Sequence, residues 1–273
     1  MSLFDEMVND FGSGVVSTNA VHEVMQQIAL AGLARGGFFS QAAFYGGTCL
    51  HLFHGLDRFS EDLDFSLLAP NPEFDFEKYF EAVKDEFRLA GKKVEIKLKR
   101  KVRPTSIESA FLKESSEVFD IGFATEKQPK VKLEVDVRPP LGFGTETMLL
   151  MKPTSCWIRA YDLPSLFAGK LSAALFRSWQ TRTKGRDWYD VEWYVRNRVK
   201  LNFAHFIARG RESDPSVDVS TREAMIVAFD RRIDAINVDD AKVDVLPFVV
   251  DANRLNIWSR DYFKALIRKV VCV

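Results

Sequence analysis

Nowhere in these 273 residues do about eighteen apolar side chains follow one another, the run that a membrane-spanning helix requires. Cysteine is scarce: Cys49, Cys156 and Cys272 are odd in number, widely separated and never in a C-x-x-C pair, which argues against a disulfide framework or a zinc knuckle. Net charge is missing too. Lysine plus arginine and aspartate plus glutamate number 38 each, so no bulk positive field attracts nucleic acid and any such partner must be met by a local patch. The opening M-S-L-F-D-E-M-V-N-D is acidic, without the basic and apolar stretches of a leader, and there is no internal repeat or low-complexity tract. These absences give the expectation of a protein of the reducing cytoplasm with no membrane partner.

The chain does have the material for a core, at 47% apolar and 12% aromatic, enough for one large domain or two modest ones. Val21, Val24, Met25, Ile28, Ala29 and Leu33 keep helical spacing, so a helix is expected over Asn19 to Ala34, stopped by Gly36-Gly37. A turn and short helix are expected from Gln41 to Phe53, a strand over Asp62 to Leu68, and a helix over Phe74 to Leu89. Alternation of period two marks strands at Lys93 to Arg100 and Val131 to Val137. From Leu163 onward the pattern is helical apart from breaks near Arg209 to Ser220 and Pro247. The expected class is α+β: a mixed first half, residues 1–160, and a mainly helical part, residues 161–273, with the boundary near Tyr161.

Within R-F-S-E-D-L-D-F, strand geometry sends Asp62 and Asp64 to one face while Leu63 and Phe65 enter the core. Two carboxylates roughly 6 Å apart repel by about 3 kcal/mol at an effective dielectric of about 20 and by less than about 1 kcal/mol in water. Burial therefore decides whether the pair needs a cation, and hard oxygen donors of this kind suit Mg²⁺ or Mn²⁺. In K-V-K-L-E-V-D-V-R, Leu133, Val135 and Val137 form a core face and Glu134 and Asp136 project together from the other. If that strand lies beside Asp62 to Leu68, three acids converge; otherwise both segments are amphipathic strands with solvated charges.

Upstream, Gly46 and Gly47 permit a tight or left-handed backbone and bring amide groups close to an anion, and Thr48 adds a hydroxyl that either meets a phosphate oxygen or caps the helix. In D-L-P-S-L-F-A-G-K-L-S-A-A-L, Asp162 or Leu163 caps a helix with Pro164 in its first turn, and Lys170 falls on the buried stripe. A lysine there either snorkels to the edge or meets a phosphate. K-G-R-D-W-Y-D sets Asp187 and Asp190 one helical turn apart behind Lys184 and Arg186, and acids near a helix start are also favoured for their own sake.

Together G-G-T-C-L, R-F-S-E-D-L-D-F, K-L-E-V-D-V, L-F-A-G-K-L-S-A-A-L and K-G-R-D-W-Y-D-V, over roughly Phe44 to Val195, resemble the AbiEii/AbiGii-type toxin family of nucleotidyltransferases, in the DNA polymerase beta-like superfamily. Gly47-Thr48 stands where that superfamily usually has Gly-Ser. The resemblance implies a nucleotidyltransferase-type mixed sheet flanked by helices. It also implies a metal-dependent enzyme, with Mg²⁺ or Mn²⁺ on Asp62, Asp64 and Glu134 or Asp136. Gly46, Gly47, Thr48, Lys170, Lys184 and Arg186 would hold a nucleoside triphosphate, with Asp187 or Asp190 the last acid. The nucleotidyl group would pass to an RNA such as a tRNA, and a cognate antitoxin would restrain the activity. Other expectations are a module binding nucleotide or antitoxin without turnover, and a transferase acting on a protein or small molecule. Lys97, Lys99, Arg100, Lys101 and Arg103 are either an RNA-backbone patch or the lysine guard of an edge strand.

Overall fold

The structure is a computed structural model that describes residues 1–12, 17–98, 116–124, 129–177 and 183–273. The chain divides into two compact units: Met1–Cys49, Glu61–Pro139 and Thr145–Ala160 form the first, and Leu50–Ser60, Pro140–Gly144 and Tyr161–Val273 the second.

The first unit is built on a seven-stranded mixed sheet. In chain order the strands are β1 (Ala42–Tyr45), β2 (Asp62–Leu67), β3 (Val94–Leu98), β4 (Ser116–Phe123), β5 (Lys130–Asp136), β6 (Thr145–Leu150) and β7 (Cys156–Tyr161), arranged β3-β4-β5-β2-β1-β7-β6. β2 runs parallel to β5, β1 parallel to β7, and the β1–β2, β3–β4 and β4–β5 pairs are antiparallel. Alternation places Leu63, Phe65, Val131, Leu133 and Val135 in the core, as the period-two pattern requires. Helices α1 (Leu3–Asn9), α2 (Ser17–Arg35) and α4 (Phe80–Leu89) complete this unit, while α3 (Gly46–His54) follows β1 without a loop. α2 packs on α4 at Gly32, where an added Cβ would stand 2.6 Å from the Val83 Cα, so only glycine allows that spacing.

Some expectations needed revision. Within Gln41 to Phe53, where a turn and short helix are expected, the helix is present but Ala42–Tyr45 is a short strand buried between β2 and β7. Strands β4, β6 and β7 were not anticipated. The helix expected from Phe74 begins only at Phe80, after a 3₁₀ turn at Glu77–Tyr79. Phe74, Phe76 and Tyr79 leave helical spacing to surround Phe38, with ring centroids at 6.2, 5.3 and 5.1 Å, and Phe38 also meets Phe65 at 5.0 Å. A fully buried phenylalanine contributes about 1.5–3 kcal/mol, so this cluster outweighs local helix preference. The basic strand is described over Val94–Leu98; Lys99, Arg100, Lys101 and Arg103 lie outside the described residues, and Lys97 pairs with Glu95 at 2.7 Å.

The second unit is helical: α5 (Leu163–Phe176), α6 (Gly185–Arg196), α7 (Phe203–Ser213), α8 (Arg222–Ala235), α9 (Val238–Val245) and α10 (Arg260–Arg268). Asp162 caps α5 by accepting from the Ser165 amide at 2.9 Å, with Pro164 in the first turn. Gly185, in the K-G-R-D stretch, lets α6 start against the Ala241 carbonyl of α9, which any Cβ would overlap. Among the described residues no helix is long and apolar enough to cross a membrane.

Candidate functional site

In the first unit the parallel register sets Asp64 opposite Glu134, Asp62 opposite Lys132 and Ser66 opposite Asp136. Paired residues of adjacent strands share a face, so Asp62, Asp64, Glu134 and Asp136 all project from the side that Leu63, Phe65, Leu133 and Val135 do not occupy. All four acids are half-buried. Glu134, directly opposite Asp64, is the better placed third carboxylate; Asp136 stands one step further along.

Rows across the sheet explain what this costs. Asp62, Lys132 and Asp120 face one another on β2, β5 and β4, with Lys97 next on β3, so charge alternates along that row. The neighbouring row sets Asp64 against Glu134, two like charges on adjacent strands, an arrangement that destabilises a sheet unless a cation joins it. The Lys132 Nζ supplies one, lying 2.5 Å from Glu134 Oε2. Burial alone would depress the Lys132 ammonium, but Glu134, then Asp62 and Asp64, hold its pKa above the ordinary lysine value. Nearby, burial lowers the pKa of His22 against the opposing pull of Glu61 and Asp62.

The first residue of α3 explains why a glycine precedes these acids. Gly46 has φ 86°, and a Cβ added there would overlap Asp64 Oδ2 and stand 3.1 Å from its Cγ. The missing side chain is room for the Asp64 carboxylate at the first residue of α3, where amide groups are not yet committed to the helix. Thr48 is fully buried and its hydroxyl donates to the Asp62 carbonyl at 2.5 Å, fastening α3 to the start of β2. The hydroxyl that was expected to meet a phosphate or cap the helix is engaged in this bond.

Oxygen donors of this kind, half-open to solvent and crowded by like charge, fit a hard divalent ion. Among the described residues no group of three or more acidic, imidazole or thiol side chains is drawn into a formed ion cage. The carboxylates share a face, with Glu134 turned to Lys132.

The second unit holds its own charged cluster. Lys170 on α5 lies 3.0 Å from Asp187 Oδ1 and 2.9 Å from Asp190 Oδ2 on α6, which accounts for a lysine on the buried stripe. Arg58 grips Asp190 with two bonds of 2.6 Å and donates to the Phe59 carbonyl, and Arg177 reaches Asp187 at 3.4 Å. Arg58, Asp187 and Asp190 are all buried. Burial would raise the Asp187 pKa, yet Lys170 and Arg177 outweigh it and hold the carboxyl far below its usual range. Lys184 precedes α6 with its ammonium pKa lowered, first by burial and then by Arg177, and Arg186 lies over the Phe248 ring at 4.2 Å.

Lys132, Arg58 and Arg177 were not among the residues expected from the sequence. Lys132 sits two residues before Glu134, and the same period that found Glu134 and Asp136 would have found it. Arg58 gave no local signal, because L-D-R-F-S reads as surface and its partner is 132 positions away.

A model of the family described as "Nucleotidyl transferase AbiEii toxin, Type IV TA system" matches residues 28–266. No curated protein matches the chain. Among solved structures, a putative nucleotidyltransferase from H. pylori aligns with TM-score 0.53 at 20% identity over 93% of this chain and 92% of that one. JHP933 from Helicobacter pylori gives 0.53 and 20% over 93% and 90%. MenT4, a nucleotidyltransferase toxin from Mycobacterium tuberculosis H37Rv, gives 0.57 and 15% over 98% and 86%. At these identities the structural matches speak for the fold.

Proposed function

Since the chain belongs to the AbiEii nucleotidyl transferase toxin family of type IV toxin–antitoxin systems, we propose that it moves a nucleotidyl group from a nucleoside triphosphate to an acceptor hydroxyl with Mg²⁺ or Mn²⁺ at the carboxylate face. The observation that carries this reading is the parallel register of β2 and β5, which sets Asp64 opposite Glu134 with Asp62 on the same face. In the reaction the acceptor oxygen forms a bond to the α-phosphorus as the bond to pyrophosphate breaks. A bound divalent ion would lower the pKa of the attacking hydroxyl and neutralise the leaving group.

Asp62 and Asp64 would hold the ion, with Glu134 as a further ligand or as the acceptor of the hydroxyl proton. Asp136 is the reserve ligand one step along the face. Backbone amides at Gly46 and Gly47, at the start of α3, would receive phosphate oxygens, while the Thr48 hydroxyl keeps the D-x-D strand in place. For the second unit the proposal is that Lys170 gives up part of its pairing with Asp187 and Asp190 to neutralise phosphate charge, with Lys184 and Arg186 adding to it. The acceptor proposed is RNA, a tRNA in the first instance, and the partner a cognate antitoxin.

Purified protein incubated with Mg²⁺, total tRNA, cell extract and each labelled triphosphate in turn tests this. Label is expected on RNA, and Asp62→Ala and Asp64→Ala are each expected to abolish it. Transfer undiminished in both variants would remove the carboxylate face from the reaction. Label on a protein or a small molecule would redirect the acceptor, and binding of triphosphate with no transfer would leave a binding module.

A further inference from the structure

The carboxylate face carries its own cation, and the proposed metal reading gives that cation a job. Asp62, Asp64, Glu134 and Asp136 lie on one side of two adjacent strands, and Lys132 lies on the same side between them in sequence. Its Nζ does not stay in its own row, between Asp62 and Asp120; it crosses to Glu134 at 2.5 Å, the acid that faces Asp64. It therefore sits where the sheet places two like charges against each other, the place at which a divalent ion would relieve most repulsion. Both partners are about one-third exposed, at 35% and 31%, so the pair can open without unfolding anything around it. A pair that open contributes little to stability.

We propose that Lys132 is a resident counter-ion of the carboxylate face, occupying Glu134 until a divalent ion arrives and yielding the site to it by releasing Glu134. The inference rests on the metal reading above. Lys132 is a positioning residue here: it sets when Glu134 is free to act as a ligand and how tightly the ion is held. Competition of this kind lowers the apparent affinity for the ion by the fraction of molecules in which Lys132 is engaged.

The test is Mn²⁺ binding to the full chain without nucleotide, followed by electron paramagnetic resonance and by the metal-induced rise in melting temperature. Lys132→Met, folded as judged by circular dichroism, is expected to bind Mn²⁺ about tenfold more tightly than the parent, and Lys132→Arg, which keeps the charge, about as tightly as the parent. Lys132→Gln serves if the methionine variant does not fold. Unchanged or weaker Mn²⁺ binding in the neutral variants would overturn the counter-ion role while leaving the metal reading intact. Absence of binding in the parent and in Lys132→Met alike, or binding indifferent to Asp62→Asn and Asp64→Asn, would overturn the metal reading and the inference with it.

Discussion

The two charged clusters of this protein use the same residue types to opposite ends. On the sheet of the first unit, acids outnumber lysine, stand half in solvent and face one another across adjacent strands. In the second unit Asp190 is matched by Arg58 and Lys170, and Asp187 by Lys170 and Arg177, with both carboxylates buried. Buried charges are tolerated only when paired and hydrogen-bonded, whereas half-exposed ones of like sign can stand side by side at modest cost. In this structure the second cluster balances its charges within the unit, whereas the first sets like charges against each other, where a divalent ion would relieve most repulsion.

Removing a member of each cluster should give the largest contrast. Arg58→Ala leaves Asp190 buried with one partner fewer and is expected to destabilise the protein by about 3–5 kcal/mol. Asp64→Asn, by contrast, removes one of two facing charges and is expected to change stability by no more than about 1 kcal/mol in either direction. Denaturant unfolding of both variants decides it. A severe loss in Asp64→Asn together with a mild one in Arg58→Ala would reverse the assignment of the two clusters.

The comparison extends to pH. His205 in the second unit is sealed beside Phe143 and Tyr161, its Nε2 buried with no hydrogen-bond partner, and burial, then Arg209, lowers its pKa from 6.5 to about 4. A folded-state pKa below the unfolded value means that the unfolded chain binds the proton first. Stability is then complete above about pH 6.5 and drains away as pH falls towards about 4, by at most about 3 kcal/mol. Melting curves between pH 7 and 4 should show this loss, and His205→Phe should flatten it. The carboxyl of Asp187, held low, adds its own loss at more acidic pH, below the ordinary carboxylate range.

How much of this the sequence disclosed follows from how far apart the cooperating residues are. Asp62, Asp64, Glu134 and Asp136 were legible because the strand period alone orients them, and only the neighbouring of β2 and β5 had to be supplied by the fold. Lys170 was placed on the buried stripe by helical spacing, but its partners on α6 come from helix packing, which leaves no local trace. Arg58 and Asp190 share nothing in sequence. Strand β1 was missed because A-A-F-Y is four residues long, too short for a period, and is held between two other strands. Gly46-Gly47 was recognised as a special backbone, while the close approach of the Asp64 carboxylate that makes Gly46 necessary is a tertiary fact.

A smaller effect separates backbone from side chain at that turn. Gly46→Ala forces a Cβ into a left-handed residue against Asp64 Oδ2, so a cost of about 1–3 kcal/mol is expected, with displacement of the carboxylate as its main consequence. Mn²⁺ binding and nucleotidyl transfer should fall much further than stability does. Were both to track stability, the open space at Gly46 would serve folding alone.

A last pair of variants, at Thr48, tells the two meanings of a hydroxyl apart. Thr48→Val keeps the shape of the side chain but leaves the Asp62 carbonyl without its donor, at a cost of about 1–3 kcal/mol, and Thr48→Ser retains the donor and loses one buried methyl, at about 1 kcal/mol. If the hydroxyl only fastens α3 to β2, the serine variant transfers nucleotide with the parent's KM and the valine variant suffers chiefly in stability. A rise in KM for the triphosphate in Thr48→Val, far beyond what its stability loss explains, would show that this hydroxyl leaves the Asp62 carbonyl for a phosphate oxygen during turnover, and would move Thr48 from the scaffold of the carboxylate face into the phosphate site itself.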